Sequence, residues 1–88
     1  MKTIYKYEIE LVDNQSIEMP KGAEVLSVQV QNNKPCLWAI VETERPTERK
    51  LFKIAGTGNP FDTNLHRYKC IGTFQLNLFV WHLFELYT

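Results

Sequence analysis

With 44% hydrophobic and 12% aromatic residues, the 88-residue chain reads as one globular domain, residues 1–88, with a thin core; a disordered chain is excluded. Ten Lys and Arg balance ten Asp and Glu, so no general positive field draws the chain to phosphate backbones, and nucleic acid is demoted as a partner. No apolar run approaches the ~18 residues of a membrane span, and the charged start Met1-Lys2-Thr3-Ile4-Tyr5-Lys6 has no leader-like apolar core, so a soluble, cytoplasmic protein is expected.

From Thr3 to Val12, Tyr5, Tyr7, Ile9 and Leu11 alternate with Lys6, Glu8 and Glu10, which predicts a half-buried strand. Asp13-Asn14-Gln15-Ser16 has turn chemistry, and Pro20-Lys21-Gly22 reverses the chain. Glu24 to Gln31 alternates again, with Leu26, Val28 and Val30 on one face. Asn32-Asn33-Lys34-Pro35 then connects it, as a hairpin, to Cys36-Leu37-Trp38-Ala39-Ile40-Val41, apolar throughout and so mid-sheet or buried on both faces.

Glu42 to Lys50 alternates in charge sign and reads as a solvated loop. Leu51 to Ala55 is a fourth strand, Phe52 and Ile54 inward and Lys53 outward, stopped by Gly56-Thr57-Gly58-Asn59-Pro60. Phe61 to Arg67 is the longest irregular segment. Tyr68 to Gln75 is a fifth strand, with Tyr68, Cys70, Gly72 and Phe74 on one side; Gly72 signals a bulge or a close backbone approach, and Asn77 a tight reversal.

The last run, through Phe79, Trp81, Leu83 and Tyr87, fits both periods, but its aromatic density and lack of helix caps favour a strand over a helix. As a strand it is apolar on both faces, Leu78, Val80, His82, Phe84 and Leu86 on one and Phe79, Trp81 and Leu83 on the other; it is therefore central, or offers a face to a partner. The expected fold is all-β: a small antiparallel six-stranded meander forming a sandwich or barrel.

Three constellations carry chemistry. Gly56-Thr57-Gly58-Asn59, with Lys53 before and Arg67 after, is a candidate nest of backbone amides for a nucleotide-like anion, although no helix follows it. Cys70 with His82 makes a formal nucleophile and base, but no hydrolase motif surrounds them, and His82 would need Glu85 or Asp62 as partner. Cys36, His66, Cys70 and His82 lack metal-ligand spacing, so no metal and no cofactor are expected; without CxxC spacing the cysteines read as reduced, buried thiols. Trp38, Phe79 and Trp81 are most simply core, yet the two Trp-bearing strands carry more apolar surface than a thin core buries, which nominates Trp38, Phe79, Trp81 and Leu83 for an interface, a homodimer or a sheet face offered to a host protein.

Several strings in order, Ile17-Glu18-Met19-Pro20-Lys21-Gly22-Ala23, Ser27-Val28-Gln29-Val30-Gln31, Pro35-Cys36-Leu37-Trp38-Ala39, Gly56-Thr57-Gly58, Ile71-Gly72-Thr73-Phe74-Gln75 and His82-Leu83-Phe84-Glu85, resemble a family of small phage- and prophage-encoded proteins known as a domain of unknown function. The resemblance implies an accessory protein of the bacterial cytoplasm and brings no catalytic residues. Two departures stand out: Asn59 where relatives often place His, and Leu76-Asn77-Leu78 in place of a Gly-rich hairpin. The expectation is a non-enzymatic protein that binds, through an apolar sheet face, to itself and a host protein. The alternative is sequestration of a small anion by the Gly56-Asn59 loop.

Overall fold

A computed structural model describes residues 1–61 and 67–87. The chain forms seven strands: β1 (Lys2–Glu8), β2 (Asn14–Pro20), β3 (Glu24–Gln31), β4 (Lys34–Glu42), β5 (Thr47–Gly56), β6 (Arg67–Leu76) and β7 (Phe79–Tyr87). Two antiparallel sheets, in the orders β1-β4-β3 and β2-β5-β7-β6, face each other as a sandwich; they do not close into a barrel. The all-β expectation holds and the terminal run is a strand, but there are seven strands, and only β3–β4 and β6–β7 pair as chain neighbours, so this is no meander.

Three segments depart from expectation for physical reasons. The first strand stops at Glu8, and β2 forms through Asn14 and Ser16, whose turn chemistry had pointed elsewhere. Gln15 holds the intervening turn by accepting from the Glu10 N–H and donating to the Glu10 carbonyl, at 3.0 and 2.6 Å. In the charged segment, Thr47–Lys50 is the start of β5 rather than loop, because two of its charges have partners: Lys50 reaches Glu85 at 3.0 Å and Glu48 accepts the Gly22 N–H at 3.0 Å.

Both hairpins have two-residue turns with positive φ at both positions, Asn32 and Asn33 at 54° and 63°, Asn77 and Leu78 at 55° and 69°. Such turns match the strand twist, so the β3–β4 loop needs two residues, not four, and Lys34 and Pro35 belong to β4.

Met19, Leu37, Val41, Phe52 and Leu83 are fully buried at the centre of the core. β4 and β7 are internal strands, one of the two placements that their two-sided apolar sequences allowed. A register shift between Val25 and Ser27 throws Leu26 out to 41% exposure, leaving Val25, Val28 and Val30 to pack inward. A second shift lies between Cys70 and Gly72. It splits the face read as continuous: Gly72 and Phe74 turn to the core, and Tyr68 and Cys70 outward. Cys70 is consequently exposed, which corrects its expected burial; Cys36 is buried as expected, and both thiols are free. Gly72 makes the close approach too, since a Cβ there would meet Val28 Cγ1 of the facing sheet at 3.1 Å.

β5 and β6 both run antiparallel to β7, so the chain must return the length of the sheet between Gly56 and Arg67. Phe61, on that return, packs on the outer face against Phe84 and Tyr68, with ring centroids 4.6 and 5.3 Å away. The rest of the irregular segment, with Asp62 and His66, lies outside the described residues.

On β1 the half-buried Tyr7 meets Tyr5 edge-on at 6.4 Å. Burial, and secondarily the Tyr5 charge, raise the Tyr7 pKa above the ordinary value. With the folded pKa above the unfolded one, this contribution to stability is complete below about pH 10 and is lost as pH rises through the folded value. Thermal melts from about pH 9 to 12 should show a smaller alkaline loss for Tyr7→Phe than for the wild type.

Candidate functional site

Among the described residues, the β6–β7 hairpin tip is the most exposed apolar run. Leu78 is 97% exposed, Phe79 63% and Val80 36%, three consecutive residues. Phe79 stacks edge-on with Trp81 at 6.0 Å, and the Trp81 Nε1–H donates to the Leu76 carbonyl at 3.1 Å, fixing the indole against its own hairpin. Beside the tip lies the Gly56-Thr57-Gly58-Asn59 turn, held by Thr57 N–H to the Val80 carbonyl and Asn59 N–H to the Gly56 carbonyl, both at 3.1 Å. Space at Gly56 is tight: a Cβ would stand 2.7 Å from Asn59 Nδ2 and 3.1 Å from Trp81 Cζ3, so the amide would have to move and the indole to give slightly.

Together these segments line a hollow of about 530 Å3, within the ordinary size range of ligand sites. Its walls are Asn77, Leu78, Phe79, Val80 and Trp81 from the hairpin and Gly56, Thr57 and Asn59 from the loop, with no charged side chain. His82 braces the loop from the outer face, its Nε2 2.8 Å from Thr57 Oγ1 and its Nδ1 3.1 Å from Thr73 Oγ1.

The structure thus joins residues nominated separately, Gly56, Thr57 and Asn59 from the loop and Phe79 and Trp81 from the interface, because Gly56 pairs with Trp81 across β5 and β7. The other nominees lie elsewhere. Lys53 is on the outer face opposite Phe84, its ammonium 5.8 Å from the centre of the Phe61 ring. Arg67 stands opposite Tyr87, at the far end of β7. Gly58, at φ 88°, makes the turn. A nest needs successive amides turned to the ligand, and those of Thr57 and Asn59 are already bonded to carbonyls. Trp38 faces outward from the other sheet between the buried Leu37 and Ala39, and Leu83 is 0% exposed, so its side chain is consumed by the core. Of the four interface nominees, only Phe79 and Trp81 therefore share a surface.

Nor do Cys70 and His82 form a nucleophile and base: Cys70 stands opposite Phe84, His82 opposite Thr73, and both His82 nitrogens contact hydroxyls. Glu85, proposed as a partner for His82, points to the other face and binds Lys50. Among the described residues no three His, Cys, Asp or Glu side chains gather as a metal site, and no helix is long and apolar enough to cross a membrane. Sequence reasoning missed Leu78 as a site residue. The available signal was Asn-Leu where a turn of this type favours Asn-Gly.

Searches of curated proteins and of solved structures each returned no match to the chain. A family profile, by contrast, matches from end to end: the chain belongs, over residues 1–88, to the family described as a domain of unknown function, DUF7352.

Proposed function

We propose that this protein acts by binding another protein rather than by catalysis, with the β6–β7 hairpin tip and its hollow as the docking site. In the setting that the sequence resemblance implies, it is a phage or prophage accessory protein and its partner a protein of the bacterial cytoplasm. One observation carries the reading: Leu78 occupies a left-handed backbone position at φ 69° with its side chain 97% exposed. That conformation costs a non-glycine residue about 1–2 kcal/mol, and exposure of the side chain returns nothing within the chain. The Asn32-Asn33 hairpin supplies an internal comparison, making the same kind of turn with two residues that tolerate the geometry. A turn alone does not call for Leu78, and an apolar anchor does. The uncharged lining of the hollow fits an apolar partner segment better than an anion.

The reading predicts opposite signs for stability and binding. Leu78→Gly should raise stability by about 1 kcal/mol, because glycine adopts positive φ without strain. The same substitution should weaken capture of the partner at least tenfold, the scale of a lost interface anchor. Immobilised wild-type and variant proteins would be compared for what they retain from host cytoplasm, quantified by mass spectrometry alongside urea melts. Retention of the same proteins in equal amounts by both would sink the docking role.

A further inference from the structure

The sheets have four edge strands, and three carry a device that discourages further pairing. β3 and β6 have register shifts at Leu26 and Ile71, and β2 ends in Pro20, which has no N–H to give. β1 has neither a register shift nor a proline, only the exposed charges of Lys2, Lys6 and Glu8: its seven residues pair with β4 in unbroken register, and among the described residues its other side is open. The Met1 carbonyl accepts from Thr43 and the Ile9 N–H donates to Pro35, so odd-numbered residues turn their backbone groups toward β4. By the alternation of a strand, Lys2, Ile4, Lys6 and Glu8 turn theirs toward the open edge.

When a strand pairs antiparallel with its own copy about a two-fold axis, one residue must stand opposite itself. For β1 the register that overlaps the whole strand is centred on its middle residue, Tyr5. That register sets Lys2 against Glu8 of the partner strand, and Glu8 against the partner's Lys2, in both halves of the contact. It also sets Ile4 opposite Lys6 of the other copy, and Ile4 and Tyr5 are 56% and 42% exposed in the single chain. Moving the centre to Ile4 places Lys2 opposite Lys6, and moving it to Lys6 sets two lysines face to face. Full overlap and charge complementarity therefore select the same register.

We infer that β1 is a homodimerisation edge, pairing antiparallel with β1 of a second copy about Tyr5 to make one continuous six-stranded sheet. The contact is β-strand addition, with main-chain hydrogen bonds giving affinity and the Lys2–Glu8 pairs fixing register. It uses none of the residues of the hairpin tip, so it stands or falls separately from the docking role proposed there.

Charge exchange tests it, because Lys2 and Glu8 are both exposed and their substitution leaves the core untouched. Sedimentation equilibrium of the full chain should show a reversible dimer. Glu8→Lys and Lys2→Glu should each weaken it about tenfold or more, by setting like charges opposite at two symmetric places. The double variant Lys2→Glu/Glu8→Lys should return to within about threefold of the wild type. Loss of the intrachain Lys34–Glu8 contact, 3.8 Å long, cannot imitate this, since the double variant lacks it too. In a Cys70→Ser background, Tyr5→Cys should cross-link to its own copy on oxidation and Lys6→Cys should not, because only residue 5 faces itself. A chain that stays monomeric at millimolar concentration, or a dimer indifferent to both charge exchange and the Tyr5→Cys cross-link, would overturn the inference.

Discussion

Leu83→Ala is expected to cost about 3 kcal/mol and to lower the melting temperature by roughly 12–24 °C in a domain of this size. Leu83 is 0% exposed at the centre of β7, opposite Ile54 and Gly72 on the two flanking strands, so truncation leaves a cavity that two sheets must collapse to fill. Gly72 lies against Val28 of the facing sheet, which leaves little freedom for that collapse. The contrast with Leu78 is the informative part: two leucines five positions apart, one whose loss should cripple folding and one whose replacement by glycine should improve it. Urea denaturation of both variants decides the matter, and a cost below about 1 kcal/mol for Leu83→Ala would contradict its place in the core.

The second large effect concerns Lys50 and Glu85, whose side chains are 16% and 8% exposed and meet at 3.0 Å. Glu85→Ala leaves the ammonium in a half-dry site without its carboxylate and should cost about 3 kcal/mol, at the low end for a broken buried pair because Lys50 keeps some water. Replacing both together, Lys50→Met with Glu85→Leu, should recover most of that loss or exceed the wild type, since neither charge then has to be desolvated. If the single substitution cost no more than the double, the pair would be no stronger than a surface ion pair, within about 1 kcal/mol of nothing.

Much of the fold was legible because burial imposes a local pattern. The all-apolar Cys36–Val41 stretch read as mid-sheet, and the two-sided terminal run as central or offering a face to a partner; β4 and β7 are internal strands. Phe52 and Ile54 pointed inward, Gly72 marked both a bulge and a close approach, and Asn77 marked a reversal. β2 was illegible because Asn14 and Ser16 sit on an edge strand with their side chains in water, where turn-forming residues are tolerated. Its strand state is decided by β5, through pairs such as Asn14 with Lys53 that no local pattern encodes. The same holds for Thr47–Lys50, where sign alternation looked like solvation and proved to be a strand with partners for Glu48 and Lys50.

The candidate site was legible in pieces. Gly56–Asn59 stood out by composition and Phe79 and Trp81 by size, but their meeting depends on the Gly56–Trp81 pairing of strands far apart in the chain. Trp38 and Leu83 were grouped with them on bulk alone, and bulk does not say which sheet, or which side of it, a residue occupies. Leu78 is the converse case, a residue whose sequence gave the clue only through what the turn would rather have held.

The strand order has a kinetic consequence. Only the Asn32-Asn33 and Asn77-Leu78 turns join chain neighbours that pair with each other, whereas Lys2 must find Glu42, Asn14 must find Lys53 and Leu51 must find Leu86. Two hairpins can therefore form on the microsecond scale, about 1–10 μs each, while the remaining pairings wait for long loops to close, which places folding in the millisecond-to-second range of non-local β domains. During that wait the two hairpins exist without the strands that will flank them, and the interval is set by topology, whatever the final stability.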